Sequence, residues 1–550
     1  MNNIRYFILQ PQRYRVNDLK KHFLLSIVAC ATLFSQTIIL PLDHSLESRI
    51  GSELNSISSI IHTSNRPLEF SKLNLLIEYD SLFLIQRDYH YKDESWLDQV
   101  IYSGHLVETR NDEYRLSLDF LPDFGIGTDF SSGNRSWLNV RGFQFDGVIG
   151  NSFSIRMQYF ESLAKFPSYV SDFIKKNNAV PGQGYKRIDS PNVYDYSHAT
   201  GTFVYSPSKY LTIQAGHDKN FIGDGYRSML LSDVGFNYPF VKLTGYVWNL
   251  QYFIMWAQFQ DIASSAVLND KAWFQKKYGV FHYLDWNIDH RISLGLFESI
   301  IWKSYDSTYG YRGFELQYLN PFIFFRPVDY SLGSPDNALL GINLKYKVFE
   351  ETVLYSQVII DEMKFKEYFN NKGWWGNKYG YQLGVKSYNI FGVQHLSMQS
   401  ELNSATPYTY SHQSSSTNYG HYNQSLAHPL GANFYELLAI GNYSFGRIEL
   451  RAQINYARYG DDTAGVNNGK DIFKPYDTRT REYGNYVGQG IRTNLYFADM
   501  RISYILNPKT DLRLELGGVY RSLQSSLGNE TSLLVNFGIR SSMRNLYFDF

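Results

Sequence analysis

Short stretches in which every second residue is apolar recur along this chain, while no run approaches the ~18–20 consecutive apolar residues of a membrane helix. Over residues 448–456, Ile448, Leu450, Ala452, Ile454 and Tyr456 alternate with Glu449, Arg451, Gln453 and Asn455. Residues 496–504 repeat the scheme, with Ala498, Met500 and Ile502 opposing Asp499, Arg501 and Ser503. Leu512, Leu514 and Leu516 likewise oppose Arg513 and Glu515. A fourth stretch reads as one strand from Tyr246 to Trp256, with Tyr246, Trp248, Leu250, Tyr252, Ile254 and Trp256 on one face and Asn249 and Gln251 on the other. One such segment is equally a half-buried strand of a soluble sandwich. Here the second face is charged, and the apolar face ends in Tyr or Trp, as interfacial girdles do. In lipid only helices and closed barrels pair every backbone group. The pattern therefore predicts an all-β fold, a large antiparallel transmembrane β-barrel.

The barrel is expected over residues 136–550, beginning near Trp137-Leu138-Asn139-Val140-Arg141-Gly142. At roughly 20–25 residues per strand and connection, about 16–20 strands fit. The final residues Leu546, Phe548 and Phe550 alternate and end in phenylalanine, which predicts a terminal strand carrying the signal read by the barrel-insertion machinery. Polar stretches such as 411–418 and 461–486 read as long extracellular loops.

Ahead of the barrel, Lys20 and Lys21 precede an apolar run from Phe23 to Phe34, the layout of a secretory signal peptide over residues 1–36. Cleavage is expected after Ala31 or near Gln36, and a lipobox reading at Cys30 is the alternative to a discarded hydrophobic residue. Residues 37–135 read as an N-terminal periplasmic segment with helices. Leu46, Ile50, Leu54, Ile57 and Ile61 fall at helical spacing until Arg66-Pro67, and 96–107 is a second helical candidate.

Composition narrows the function. Lys plus Arg and Asp plus Glu both number 52, so the chain lacks the basic surplus of a nucleic-acid binder. Aromatic residues make up 17%, unlike a disordered chain. With 1 cysteine, disulfide scaffolds and thiolate zinc sites are excluded.

Three groupings draw attention. The Gly-rich stretch 223–228 lacks the lysine and spacing of a phosphate loop. It reads either as a tight bend or as a lumenal loop presenting Lys219, Asp224 and Arg227 to a polar ligand. His421, Tyr422, Asn423 and His428, near His412, suggest a carbohydrate surface more than a metal site, since no HExxH helix or thiolate pair is present. Arg326 and Asp329 in an aromatic run read as a lumenal ion pair. No nucleophile elbow appears, so neither an enzyme nor a cofactor or metal is expected. The two loops are expected to meet at the extracellular rim, where Lys219 and Arg227 would hold acidic sugars and Tyr422 would stack.

Longer phrases resemble one family. FPSYVSDFI (166–174), VPGQGYKR (180–187), the stretch 205–240, YLNPFIFFRPVDYSLGSPDNALLGINLKYK (318–347), GWWGNKYG (373–380) and NYGHYNQSLAHPLGANF (418–434) are similar to gliding-motility outer-membrane proteins of the RemB type from Bacteroidota. These look related to Wzi-type capsule-assembly barrels. The resemblance covers about residues 70–550 and implies a non-enzymatic barrel in the cell outer membrane. It further implies support for surface-polysaccharide assembly or binding and for gliding, with polysaccharide, membrane lipid and gliding or secretion machinery as partners. The alternative is an outer-membrane transport channel for small solutes or lipids.

Overall fold

The computed structural model describes residues 37–73, 95–268, 271–306, 310–323, 336–463, 465–541 and 543–550. The signal-peptide region 1–36 with Cys30 and the 324–330 run with Arg326 and Asp329 lie outside the described residues.

Antiparallel strands close into a barrel of 18. In chain order they are β1 (Tyr114–Asp129), β2 (Arg135–Ile149), β3 (Phe153–Lys165), β4 (Val193–Ser208), β5 (Leu211–Asp218) and β6 (Tyr238–Val247). Next come β7 (Leu250–Leu268), β8 (Lys271–Asn287), β9 (Ile292–Lys303), β10 (Asn337–Phe349), β11 (Thr352–Glu362) and β12 (Lys378–Ser387). The last six are β13 (Leu396–Ala405), β14 (Phe434–Phe445), β15 (Ile448–Asp461), β16 (Ile491–Asn507), β17 (Leu512–Ser525) and β18 (Gly528–Ser541). Closure runs between β18 and β1, with Leu534 opposite Asp129 and Arg540 opposite Asp123. The barrel thus begins at Tyr114, ahead of residue 136.

The alternation sets the two faces. On β15 and β16, Ile454 and Met500 are 64% and 67% exposed on the outer wall, while Gln453 and Asn455 are buried inside. Such an apolar exterior is what a lipid bilayer requires of a barrel. No helix among the described residues is long and apolar enough to cross a membrane. The stretch 246–256 is not one strand: Trp248, at φ 54, and Asn249 form the two-residue turn between β6 and β7. One end of the barrel carries such short turns and the other the long loops. In outer-membrane barrels these ends face the periplasm and the exterior respectively.

Several segments outside the strands fill the lumen. Residues 37–73 enter at the short-turn end. There α1 (His44–Asn55), capped by Asp43 accepting from the Leu46 amide, buries Leu46, Ile50 and Leu54. The helix stops before Ile57, and the chain then follows the inner wall. Lys347 donates to the Ser59 carbonyl at 2.7 Å, and Lys242 to Asn65 Oδ1 at 2.6 Å. Leu40 donates to Leu68 O and Phe70 to Ile38 O, closing this segment into a ring across the mouth. A short helix, α2 (Trp96–Tyr102), is held at the same end by Asn507, which donates to the Val100 and Gly104 carbonyls.

From the long-loop end, residues 219–237 and 406–433 turn inward. They form an apolar core with the β6–β14 wall in which Leu230, Phe253, Phe281, Tyr410 and Phe434 are buried. The stretch 411–418 is therefore interior, with Ser411, Thr417 and Asn418 buried, and not an extracellular loop. Residues 543–550 are also interior and form no strand. Phe550 packs against Phe173 of α3 (Ser168–Asn177), with ring centroids 4.4 Å apart. The terminal strand is β18, and the 546–550 alternation reflects packing inside the lumen.

Candidate functional site

The Gly-rich stretch crosses the lumen because its backbone passes where no side chain fits. A Cβ at Gly223, at φ 140, would lie 2.3 Å from Gln357 Nε2, and one at Gly225 2.7 Å from Glu401 Oε1. The loop is then tied on all sides. Thr63 of the ring donates to Asp224 Oδ1 at 2.5 Å, and Lys386 donates to the Asp224 carbonyl at 2.9 Å. Burial alone would raise the Asp224 carboxyl, but Lys345, Lys386 and Arg66 hold it well below the usual carboxylate range. The Arg227 guanidinium is fully buried. It donates to Glu436 Oε1 and to Asp549 Oδ2, each at 2.9 Å. Burial opposes its charge, yet Asp549 and Glu436 raise its pKa further above the ordinary value. Asp224 and Arg227 thus hold the loop in place.

The histidines behave alike. His428 Nε2 lies 2.7 Å from Glu436 Oε2, so Arg227 and His428 share one carboxylate and lock the two inward loops together. Burial holds the His428 imidazole below its ordinary value although Glu436 opposes the shift. His421 accepts from the Gln260 amide through Nδ1, which leaves Nε2 to donate to the Asn237 carbonyl at 3.1 Å. Burial pushes it down to about 3. His412 pairs with Thr417 instead, so the histidines do not converge. Tyr422 is buried against Phe236 at 4.7 Å and offers no open stacking face. Asn423 donates to the Asn177 carbonyl at 3.1 Å. The expected meeting at an extracellular rim is thus replaced by contacts within the plug, since both loops fold inward.

Lys219 differs. Its ammonium donates to the Gly182 and Asp233 carbonyls at 2.9 and 3.0 Å, and it lines a cavity of about 120 Å³ between the β1–β5 wall and the ring. Burial pushes it down to about 8, with Asp233 opposing. A larger cavity of about 290 Å³ lies across residues 544–549. Its lining reaches from Ser45 and Glu449 at the short-turn end to Lys165 and Pro167 at the other. Gly125, Asn536 and Gly538 are among the wall residues that line it. Arg501, Arg513 and Arg540 meet on Glu515 at 2.6, 3.2 and 2.8 Å, so this wall is highly charged and internally paired.

Asp549, Glu436, Glu401 and Tyr547 were not visible as site residues. Glu401 and Glu436 sit at inward positions of alternating strands, which is the one local signal they carry. Tyr547 donates to Asp233 Oδ1 at 2.8 Å across a separation no local pattern reveals.

No protein-family model matches the chain, and no curated protein matches it in sequence. Among solved structures it is similar to Wzi, an outer-membrane protein of Escherichia coli involved in group 1 capsule assembly and described as a carbohydrate-binding β-barrel. The TM-score is 0.54 at 12% identity, covering 92% of this chain and 99% of that one. OprD of Pseudomonas aeruginosa aligns with a TM-score of 0.41 at 11% identity over 77% of this chain and 94% of that one. At that identity the first likeness establishes the fold of an outer-membrane barrel.

Proposed function

We propose that this barrel binds surface polysaccharide and supports its assembly at the outer membrane, without enzymatic activity, in connection with gliding motility. The observation that carries the reading is the filled lumen: ring, inward loops and residues 543–550 occupy it through paired charges and an apolar core. Such an interior suits a scaffold for binding better than a diffusion path. The full-length fold likeness to a carbohydrate-binding barrel supports the polysaccharide, and the phrases similar to RemB-type proteins support the link to gliding. In this reading Lys219, facing its cavity, is the residue that meets an acidic sugar. Asp224, Arg227, His421, Tyr422, Asn423 and His428 hold the plug that positions it.

A deletion strain scored for capsule retention and colony spreading tests this, and both should fall. Complementation with Lys219→Glu should restore the barrel but not polysaccharide retention. Full retention in the deletion strain would end the proposal. The second reading, a transport channel, is favoured by the larger cavity, whose lining reaches both ends of the barrel. Liposome swelling decides it, since a channel admits small solutes and a plugged barrel does not.

A further inference from the structure

One sector of the outer wall is covered by protein where the neighbouring strands are bare. Ile254, Val280, Ile300 and Trp302 occupy outward positions on β7, β8 and β9, yet are 4%, 0%, 0% and 0% exposed. On neighbouring strands the outward Val241 and Ile342 are 45% and 47% exposed. The cover is the loop after β9, in which residues 310–323 fold down along the outside of the barrel and pack Tyr318 on Trp302, with centroids 4.6 Å apart.

Wall side chains meet the carbonyls of this flap. Trp302 Nε1 donates to Gly313 O at 3.2 Å, Trp256 Nε1 to Tyr318 O at 2.8 Å, and the Tyr252 hydroxyl to Pro321 O at 2.6 Å. Tyr278 and Leu284, the β8 partners of Trp302 and Tyr252, lie about 20 Å apart along the strand, so the flap descends well into an apolar band ~25 Å tall. Its charges are closed off as a low dielectric demands: Arg312 donates to both oxygens of Asp336, at 2.6 and 2.8 Å, and to Glu315 at 2.6 Å. Beside the covered patch, His282 and Glu298 are register partners on β8 and β9. Their strand positions point outward, yet both are fully buried. With its proton on Pro321 O, the Tyr252 hydroxyl accepts from His282 Nδ1 at 2.7 Å. Away from the wall the flap presents Tyr311, Leu316 and Phe322, exposed by 78%, 74% and 74%.

We infer that residues 310–323 are a lipid-embedded flap: their outer face takes bilayer acyl chains as its partner, and their inner face seals Ile254, Val280, Ile300 and Trp302 from lipid. Lipid is the occupant because the apolar face of the flap continues the bare lipid-facing belt on both sides. Irregular backbone survives at such depth only when its polar groups are paired, and the three wall donors pair three of the flap carbonyls.

The test is fluorescence quenching in proteoliposomes of the full protein carrying bimane on Leu316→Cys or Phe322→Cys, with Cys30 replaced by serine. Ile454→Cys on the bare belt and Tyr486→Cys on a long loop serve as references. Lipid brominated on its acyl chains should quench residues 316 and 322 as strongly as 454, while aqueous iodide should leave them untouched. Iodide quenching at the level of residue 486 would overturn the inference by placing the flap in water. Protection from both quenchers would overturn it equally, by showing protein over the flap. All four labelled sites are exposed, and heat-modifiability on gels confirms that each barrel has folded.

Discussion

Arg227 places one guanidinium between two carboxylates in a fully buried position, and that arrangement makes it structural. Replacing it with methionine leaves Glu436 and Asp549 buried without their cation, which should cost about 3–5 kcal/mol. Urea titration of the reconstituted barrel should register this as a lowered midpoint, and adding Glu436→Gln should recover part of it. Lys219 yields a pH prediction. Its ammonium, pushed down to about 8, loses its proton in the folded protein before the unfolded chain does near ~10.4. Between these values the unfolded chain binds more protons, so this residue makes the fold more stable as pH rises. Wild type should therefore gain on Lys219→Met between about pH 7.5 and about pH 9.5 in parallel urea titrations. A constant difference would show that Lys219 keeps its ordinary value. The residue types of this site were legible, but their roles were not. Arg227 finds Glu436 and Asp549 at sequence separations of 209 and 322, and only the closed fold decides such pairings.

Strands were the most legible elements, because alternation is local and a charged inner face leaves it unambiguous. On β15 the outward position of Ile454 predicts that Ile454→Arg costs about 2–4 kcal/mol if it lies near the bilayer midplane. Ile454→Leu should be nearly neutral, and urea titration of both variants measures the difference. Errors arose where alternation outlives a strand. The two-residue turn at Trp248 and Asn249 swaps faces, so Tyr246 points inward, where its hydroxyl donates to Glu69, while Leu250 and Ile254 point outward; the even spacing from Tyr246 to Trp256 runs across that swap without a break. At 546–550 the same period-2 signal comes from a segment wedged between α3 and the plug, where Phe548 and Phe550 pack on Phe166 and Phe173. The flap over Ile254 leaves no mark in the sequence, because it covers a face that already reads as lipid-facing.

At the scale of the whole molecule, ring and inward loops form one interior that should block ion flow. Planar-bilayer recordings are expected to show no steady conductance for the full chain, and open currents once residues 37–73 are removed. Silent bilayers in the truncated form would mean that the inward loops seal the lumen unaided. The fold also predicts an order of events. Residues 543–550 leave β18 at the short-turn end and climb past the ring, where the His44 amide donates to Asn545 Oδ1 and the Asn545 amide to Leu42 O. They end beside Arg521, which donates to the Phe550 carbonyl at 3.1 Å. The ring spans the very mouth through which this segment must pass. Residues 543–550 are therefore expected to be seated before the ring shuts over them, with residues 37–73 as the stopper.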